Sequence, residues 1–340
     1  MVELDGSYGE GGGQIVRTAV GLSAYLGVPC RIRNIRKGRS SPGLRPQHVA
    51  GIRALLELCK GEAEGLRVGS EELAFYPGPI EGGSLRVKVG TAGAIGLVLQ
   101  TLMLPALKAS RALRVSIVGG TDVPWAPTAG FVKGVVLPVL QEMGYRGELR
   151  IRRRGYYPKG GGEVEVRIEG GRLSGVELTE RGEVKVIRGR SHAHRGLSSR
   201  RVAERQREEA LRVIEAEGMR SEIEVEYSDA LSPGSGLDLW AICRGSRLGC
   251  SSLGALTKRA EEVGREAAEG LLGQLTSGAA LDEWMADQIL PFLAVAEGRS
   301  SVTVSRITEH FRTNLWVIGH FTERKISYRE GERGWLLEVT

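Results

Sequence analysis

A recurring order of strands and helices limits the folds open to this chain. Apolar residues alternate with period 2 in some segments and recur with period 3.6 in others, and glycines cluster where one pattern gives way to the other. The order strand, helix, strand, helix, strand, strand occurs about twice before residue 170, which predicts a repeated unit of roughly 80 to 90 residues. The 49 glycines are about twice the usual share of ~7%, as expected for many tight junctions. The pattern predicts an α/β fold.

The first 181 residues carry the two clear copies of this unit. Strands are predicted at about 2–5, 29–35, 64–68, 72–76, 84–89, 112–118, 147–153 and 163–168, and helices at about 14–26, 44–60, 92–108 and 128–143.

A block with a different pattern follows near residue 181. It is predicted to contain a charged helix at 200–217, strands near 221–227 and 237–243, and a helix at 255–274. A helix at 279–295, a strand at 301–305, a helix at 310–319 and strands at 323–328 and 334–339 then read as a third partial copy. We therefore predict a discontinuous domain of residues 1–181 plus 276–340, with an inserted small α/β domain at 182–275.

Charge and cysteine content narrow the function classes. The 47 basic residues exceed the 41 acidic ones, and 38 of the 47 are arginine. Arginine binds phosphate bidentately, which favours a nucleotide or RNA as ligand, although genomic base composition explains an arginine surplus equally well. Four widely spaced cysteines without a C-x-x-C pair argue against a zinc ribbon or a disulfide scaffold. With no apolar run of membrane-spanning length and no signal-peptide pattern, the expected location is cytoplasmic.

Two loops are candidates for phosphate binding. In GSYGEGGGQIVR, glycines allow close backbone approach, and the helix that follows presents its amide groups and positive dipole end. Glu10 in this loop suggests a divalent cation between carboxylate and phosphate, and Arg17 adds a cation one turn below. Residues 35–48 crowd cations around two prolines and two glycines. The alternatives are a plain tight turn for the first loop and a solvated basic loop for the second.

Among the five histidines, His310 is the best candidate for a nucleophile, because it lies where a strand meets a helix. His192 and His194 alternate in a predicted strand and would form only a weak metal site, and His320 is expected to be structural. Trp284, Asp287 and Gln288 share one helix face and could bind a nucleoside. A tryptophan packed in the core with a solvated acid is the alternative there. For the charged helix 200–217, a solvated face is favoured over RNA contact.

Together these segments closely resemble the RNA 3'-terminal phosphate cyclases along nearly the whole chain. The most distinctive is RGYYPKGGGEV at 154–164, and the histidine motif HFRTN stands at 310–314. The other resembling segments are DGSYGEGGGQIVR (5–17), IRKGRSSPGLRPQH (35–48), GTAGAIGLVLQT (90–101), GGTDVPWAPTAGF (119–131) and MADQILP (285–291). The resemblance implies three repeats of a four-stranded sheet packed on two helices, plus a smaller inserted four-stranded α/β domain.

The resemblance also implies a reaction. A histidine attacks the α-phosphorus of ATP to give histidine-AMP and pyrophosphate, and AMP then passes to an RNA 3'-terminal phosphate. The neighbouring 2'-OH displaces AMP and leaves a 2',3'-cyclic phosphate. ATP is thus expected as a substrate, Mg2+ or Mn2+ as the divalent cation, and RNA with a 3'-terminal phosphate as the partner. Because the histidine must attack as the neutral imidazole, activity is expected to fall at acid pH.

Site roles follow from the resemblance, position by position. His310 matches the adenylated histidine and Glu10 the metal-binding glutamate. The ATP-binding positions are Gln100, Pro127, Phe131, Trp284, Met285, Ala286, Asp287 and Gln288. The polar cluster for phosphate and RNA comprises Arg17, Arg36, Arg39, Arg45, Gln47 and His48. Trp284 departs from the family if tyrosine is usual there, although its larger ring can stack on adenine against Pro127 equally well.

Two alternatives stay open. A non-catalytic cyclase-like protein of RNA processing or ribosome assembly shares the fold but lacks the nucleophilic histidine. An enolpyruvyl transferase shares the repeated unit and binds a phosphorylated ligand with arginines, but it has no inserted domain and no role for RGYYPKGGGEV. A homodimer is compatible with the sequence without being supported by it.

Overall fold

Three sheets of the protein share one strand order, as a computed structural model of residues 1–340 shows. In the first sheet, β1 and β2 are parallel and the other pairs are antiparallel, in the order β1-β2-β4-β3. The elements of this copy are β1 (Val2–Asp5), α1 (Gly13–Leu26), β2 (Cys30–Arg33), α2 (Pro46–Cys59), β3 (Glu62–Glu64) and β4 (Leu73–Tyr76).

The second copy repeats this arrangement in the order β5-β6-β8-β7. Its elements are β5 (Gly83–Lys88), α3 (Ile95–Leu102), β6 (Leu113–Gly119), α4 (Ala129–Phe131), α5 (Leu137–Glu142), β7 (Arg146–Arg153) and β8 (Gly162–Glu169). A π-helical turn at Val132–Val136 joins α4 to α5.

The third copy is interrupted after its first strand, β9 (Glu177–Leu178). The chain then builds a separate sheet in the order β11-β10-β12-β13, covered by two helices. The inserted elements are β10 (Val184–His194), α6 (Val202–Ala216), β11 (Ser221–Ser228), β12 (Ser235–Cys243), β13 (Arg247–Leu253) and α7 (Ala260–Thr276).

After the insertion the third copy is completed by α8 (Glu283–Val295), β14 (Ser300–Val304), α9 (Glu309–Gly319), β15 (Ile326–Gly331) and β16 (Gly334–Val339). Strand β9 pairs parallel with β14, and the sheet order is β15-β16-β14-β9. This is the order of the first two sheets, so the interruption leaves the topology of the third copy unchanged. The predicted fold class, with repeated four-stranded sheets and an inserted one, is confirmed.

Apolar burial divides into two cores. One core of 65 residues is drawn from the three repeated units, and a second core of 15 residues lies wholly between Ile187 and Leu275. We propose that the predicted boundaries, 1–181 plus 276–340 and 182–275, mark two domains with separate cores. Cys243 and Cys250 lie in the smaller core as free thiols, and burial raises the pKa of Cys250 to about 12.

The charged helix at 200–217 forms as α6, and its polar face pairs with α7. Arg205 Nε donates to Glu261 at 2.7 Å, and Arg265 Nη2 donates to Glu209 at 2.7 Å. Charged side chains of α6 are therefore paired with those of α7 within the protein. No helix of the chain combines the length and apolarity needed to cross a membrane.

Several predicted boundaries differ from the structure for local reasons. The strand predicted at 64–68 is replaced by β3, because Gly65 takes a φ of +77° and turns the chain. The helix predicted at 92–108 ends as α3 at Leu102, and a 3-10 turn starts at Pro105. Strands β9 and β13 belong to the expected four-stranded sheets, but the apolar pattern did not predict their positions in the chain.

Candidate active site

A cleft of about 1390 Å³ lies where the helices of the three repeated units meet. Fourteen of the sixteen predicted site residues line it, although they come from distant parts of the chain. These are Glu10, Arg17, Arg36, Arg39, Arg45, Gln47, His48, Gln100, Pro127, Phe131, Trp284, Asp287, Gln288 and His310. The fold therefore brings both candidate loops, the helix α8 and the histidine motif to one surface.

His310 occupies the first turn of α9, at the edge of this cleft. Thr308 caps the helix, since its hydroxyl accepts from the amide of Phe311 at 2.9 Å. The His310 ring is 50% exposed, and its Nε2 lies 3.4 Å from Glu10 Oε2. Partial burial, reinforced by the charges of Arg17 and Arg39 and opposed by Glu10, lowers the pKa of His310 below its usual value. The imidazole is therefore neutral at neutral pH, as a nucleophile must be.

The glycine loop places Glu10 beside the histidine and leaves the start of α1 uncapped. Gly9 has a φ of +57°, and a Cβ there would lie 2.7 Å from the hydroxyl of Thr313 on α9. No side chain caps α1 at Gly12, so its first amide groups keep their donor capacity. A free helix N-terminus facing a cleft is suited to an anion such as phosphate.

Cations are packed closely at the same end of the cleft. Arg17 Nε donates to Gln100 Oε1 at 2.9 Å, and its Nη1 lies 3.5 Å from His48 Nε2. Burial and the nearby charge of Arg36 lower the pKa of Arg17 to about 10, which leaves it protonated at neutral pH. Burial and the charges of Arg17, Arg36 and Arg45 hold the pKa of His48 well below its usual range. An anion bound here would relieve this repulsion.

His48 is also oriented as a hydrogen-bond donor. Its Nδ1 accepts from the backbone amide of Arg45 at 3.0 Å, so the neutral ring carries its proton on Nε2. Gly13 lies against this ring, since a Cβ there would approach His48 Nε2 to 2.2 Å. The ring thus presents an N–H group beside the start of α1.

Arg36 and Arg39 are held differently within the basic loop. Arg36 folds back on its own loop, where its Nη1 donates to the carbonyls of Ser41 and Gly43. Arg39 Nη2 reaches Glu10 Oε2 at 3.5 Å. Arg36 therefore shapes the loop, while Arg39 lies near the histidine.

Aromatic side chains form the other end of the cleft. Trp284 on α8 is 40% exposed, and its ring meets Phe131 edge to face with centroids 6.4 Å apart. Pro127, packed against Gly96 of α3, lines the same cleft. An exposed indole ring is a surface on which a purine can stack.

Met285 and Ala286 do not join this surface. Both side chains are fully buried in the larger core, so the predicted contact of these two residues with ATP is limited to their backbone. The helical period explains the difference, because positions 285 and 286 face away from the side that carries Trp284 and Asp287.

Asp287 ties three helices together as well as lining the cleft. Thr308 Oγ1 donates to its carboxylate at 2.5 Å, and Asn314 Nδ2 donates to its backbone carbonyl at 3.0 Å. The hydroxyl of Thr18 on α1 in turn donates to Asn314 Oδ1 at 2.9 Å. Burial raises the pKa of Asp287 to about 7. Thr18 and Asn314 were not predicted, because a hydrogen bond between distant helices has no signal in the sequence.

A buried ion-pair network lies behind the cleft, between the second repeated unit and the inserted sheet. Arg154 Nη1 donates to Asp122 at 3.0 Å and to Asp238 at 3.4 Å, and its Nε donates to Glu226 at 3.1 Å. His192 Nε2 lies 3.5 Å from both aspartates, so ligand atoms of Asp122, His192 and Asp238 are all within 4.8 Å of one another. The Arg154 guanidinium already supplies the cation that such a cluster needs. His194 does not belong to this cluster, and its Nδ1 accepts from the amide of Gly196 at 2.9 Å.

The inserted sheet also contributes directly to the cleft wall. Ser251 and Leu253 of β13 line the cleft, and Asp282 at the start of α8 accepts from the amide of Gly249 at 2.9 Å. These residues were missed because β13 was not predicted. Asp282 itself had a signal, since an aspartate directly before an apolar helix is a common cap.

Comparison with known proteins identifies the family. The sequence profile of the RNA 3'-terminal phosphate cyclases matches residues 8–328, and this chain therefore belongs to that family. The RNA 3'-terminal phosphate cyclase of Methanopyrus kandleri is 47% identical to it, over 98% of this chain and 97% of its own length. That of Archaeoglobus fulgidus is 46% identical, over 98% and 99%, and that of Thermococcus kodakarensis is 49% identical, over 94% and 92%.

The expected family is thus confirmed, and with it the assignment to cyclase enzymes. Among solved structures, the enolpyruvyl transferase NikO from Streptomyces tendae is 10% identical, with a TM-score of 0.41 over 95% of this chain and 46% of that chain. This likeness is too weak to bear on function. The enolpyruvyl transferase alternative is left without support.

Proposed function

We propose that this cyclase uses ATP to convert an RNA 3'-terminal phosphate into a 2',3'-cyclic phosphate, with His310 as the group that is adenylated. The observation that carries the assignment is the position of His310, whose Nε2 is 3.4 Å from Glu10 on the wall of the cleft that holds the cation cluster. A nucleophile, a carboxylate and cations for phosphate meet at one point. That combination is the requirement for nucleotidyl transfer.

In the first step the neutral imidazole of His310 attacks the α-phosphorus of ATP. A nitrogen–phosphorus bond forms, the bond to the bridging oxygen breaks, and pyrophosphate leaves. Arg17, Arg39 and the N–H of His48 stabilise the charge on the phosphate oxygens, together with the free amides at the start of α1. Because the pKa of His310 is lowered, its imidazole stays unprotonated at pH values where an ordinary histidine begins to be protonated.

Glu10 is the residue that would hold a divalent cation. Its carboxylate is partly exposed at the histidine, and Mg2+ is commonly bound by one or two carboxylates together with substrate phosphates. When bound, Mg2+ or Mn2+ neutralises negative charge on those phosphates. The Asp122, His192 and Asp238 cluster does not fit this role, because Arg154 already donates to both aspartates.

The adenine of ATP stacks between Trp284 and Pro127 at the aromatic end of the cleft, with Phe131 behind the indole. This places the α-phosphate between the aromatic wall and the cations. Asp287 and Gln288 lie on the same helix face as Trp284 and are available to the ribose.

The remaining steps activate and close the RNA end. An oxygen of the RNA 3'-phosphate attacks the phosphorus of histidine-AMP, which frees His310 and joins the two phosphates in an anhydride. The neighbouring 2'-OH then attacks the 3'-phosphorus, loses its proton and releases AMP. Transfer of AMP supplies the leaving group, because a phosphate oxygen alone does not depart as oxide.

Self-adenylation tests the nucleophile. The protein is incubated with α-labelled ATP and Mg2+ or Mn2+, then resolved by denaturing electrophoresis. We expect label on the wild type and none on His310→Asn. His320→Asn is the matched control, because His320 lies outside the cleft with its Nδ1 near the carbonyl of Trp316. Label that persists on His310→Asn contradicts the assignment, and an unlabelled wild type favours the non-catalytic alternative.

The metal assignment has its own test. Glu10→Gln keeps the size of the side chain but removes its charge, so we expect labelling of His310 to require a higher concentration of Mg2+ or Mn2+. Asp229→Asn removes an exposed carboxylate outside the cleft and serves as the control. An unchanged metal requirement in Glu10→Gln contradicts the role of Glu10.

A further inference from the structure

We propose that Trp125 and Tyr157 form a stacking surface for the terminal bases of the RNA substrate, separate from the adenine site. The inference rests on the proposed function and adds to it the place where the RNA end is bound. Both residues line the same cleft as His310. Neither belongs to the aromatic wall formed by Phe131 and Trp284.

The backbone conformation of Trp125 leaves its ring exposed rather than packed against the rest of the protein. Its side chain is 95% exposed, and its backbone φ is +62°. A left-handed conformation is costly for a bulky residue, and such strain is often found at ligand sites. It lies between Pro124 and Pro127, which restrict the chain on either side. A tryptophan that is strained and uncovered contributes little to stability.

Tyr157 gives the signature segment RGYYPKGGGEV an outward-facing aromatic ring. The segment divides its side chains sharply: Arg154 and Tyr156 are buried, whereas Tyr157 is 68% exposed on the cleft. Gly155 and Gly160 allow close backbone packing, since a Cβ at Gly160 would lie 2.4 Å from the carbonyl of Thr91. The glycines and buried residues anchor the segment and leave Tyr157 free to meet a ligand.

The segments that carry the two rings are fixed to each other. The amide of Asp122 donates to the carbonyl of Gly155 at 3.2 Å, and the Asp122 carboxylate accepts from Arg154 at 3.0 Å. Tyr156 in turn contacts His192 of the inserted sheet, with its hydroxyl 2.9 Å from Nδ1. The buried network therefore holds both aromatic residues on one rigid support. The segment RGYYPKGGGEV thus acquires a role in supporting the RNA-stacking surface, whereas the nucleotidyl transfer steps assign it none.

A single-stranded nucleic acid fits this surface better than a second small ligand. Aromatic rings stack on any base, and cations beside them track the phosphates, which is how proteins bind single strands without sequence preference. The cleft volume of about 1390 Å³ also exceeds the ~300–1,000 Å³ typical of a site for one small ligand. ATP on the Trp284 wall leaves room for the RNA end.

Kinetics with a short 3'-phosphorylated RNA separate the two sites. For Trp125→Ala and Tyr157→Ala we expect the KM for RNA to rise roughly 5- to 150-fold, from the loss of one stacked base. The KM for ATP in self-adenylation should change much less. Trp125→Phe should retain most of the affinity, and Leu256→Ala, at an exposed residue outside the cleft, should behave as wild type.

A spectroscopic measurement checks stacking directly. RNA that carries 2-aminopurine next to its 3'-terminal phosphate should lose fluorescence on binding wild type and recover it with Trp125→Ala. An unchanged KM for RNA in both alanine variants overturns the proposal. A rise in the KM for ATP equal to that for RNA also overturns it and places Trp125 in the nucleotide site. If wild type labels His310 yet converts no RNA, the proposed function fails instead.

Discussion

Replacement of Arg154 by methionine should strongly destabilise the protein, because its guanidinium neutralises carboxylates from three separate segments. Arg154 is fully buried, as are Asp122 and Asp238, and Glu226 is half-buried. Methionine fills much of the same volume without the charge. The variant would leave two aspartates buried without the cation that balances them.

The size of the effect follows from this burial. Removing one partner of a buried ion pair costs about 3–5 kcal/mol. Hydroxyl groups of Thr121 and Thr128 still donate to the aspartates at 2.6 Å, so we expect about 4 kcal/mol rather than more. Arg152→Met is the matched control, since Arg152 lies on β7 two residues before Arg154 but is exposed in its pair with Glu165. An exposed pair is screened by water and contributes little to stability, so we expect this variant to unfold close to the wild type.

Urea unfolding followed by tryptophan fluorescence measures this difference, with Trp240 reporting from the inserted sheet itself. For an unfolding slope of about 3 kcal/mol/M, the midpoint of Arg154→Met should fall by more than 1 M. Equal midpoints for the Arg154 and Arg152 variants would refute the reasoning.

The pH dependence gives a second check with a defined sign. In the wild type, the neighbouring His192 and Arg154 outweigh burial and hold the pKa of Asp238 well below its usual range. Its stabilising contribution is present above the unfolded pKa and is lost as the pH falls through the folded pKa. Without Arg154, burial is less opposed and the pKa of Asp238 rises, so protonation of that carboxyl restores stability to the variant as the pH falls. The stability gap should narrow from about pH 7 to about pH 5, and a gap that widens would contradict the account.

Two further predictions concern titration near the cleft. Arg39→Ala removes a charge that lowers the pKa of His310, so the acid midpoint in the pH profile of self-adenylation should move to higher pH. Arg39→Lys keeps the charge and should keep the wild-type midpoint. Equal midpoints for Arg39→Ala and the wild type would exclude this effect of Arg39 on His310. Burial raises the pKa of Asp282 to about 7, so the stability it contributes is full in acid and is lost as the pH rises through about 7. Asp282→Asn should flatten this decline in thermal unfolding measured at about pH 5 and about pH 8, and an equally steep decline would show that other groups cause it.

Long periodic segments could be predicted from the sequence, and short or weakly patterned ones could not. Helices such as α2 were found nearly to the residue, because an apolar stripe with period 3.6 persists over several turns. Strand β13 contains Gly249, Ser251 and Ser252, which give no alternation of large apolar residues. Strand β9 has only two residues, and its pairing with β14 lies across the whole inserted segment. A pattern confined to a few residues carries too little information.

The same division applies to the site. Local motifs marked Glu10 and His310 as candidates, since a glycine loop and a strand-to-helix junction are continuous in the chain. Their approach to 3.4 Å could not be derived from spacing, because exactly 300 positions separate them. For α8, the prediction agrees with the structure in part. Trp284 and Asp287 line the cleft as expected, whereas the side chain of Met285 is buried in the core.

The sequence alone was enough to predict the repeated architecture and the family, and to single out two candidate phosphate-binding loops. It determined these because each depends on residues that are close together in the chain. Tertiary structure decided what surrounds Arg154, whose partners lie 32, 72 and 84 positions away, and which aromatic rings are left uncovered. Burial and ion pairing depend on the faces that folding brings together, and that information is distributed over the whole chain rather than held in any one segment.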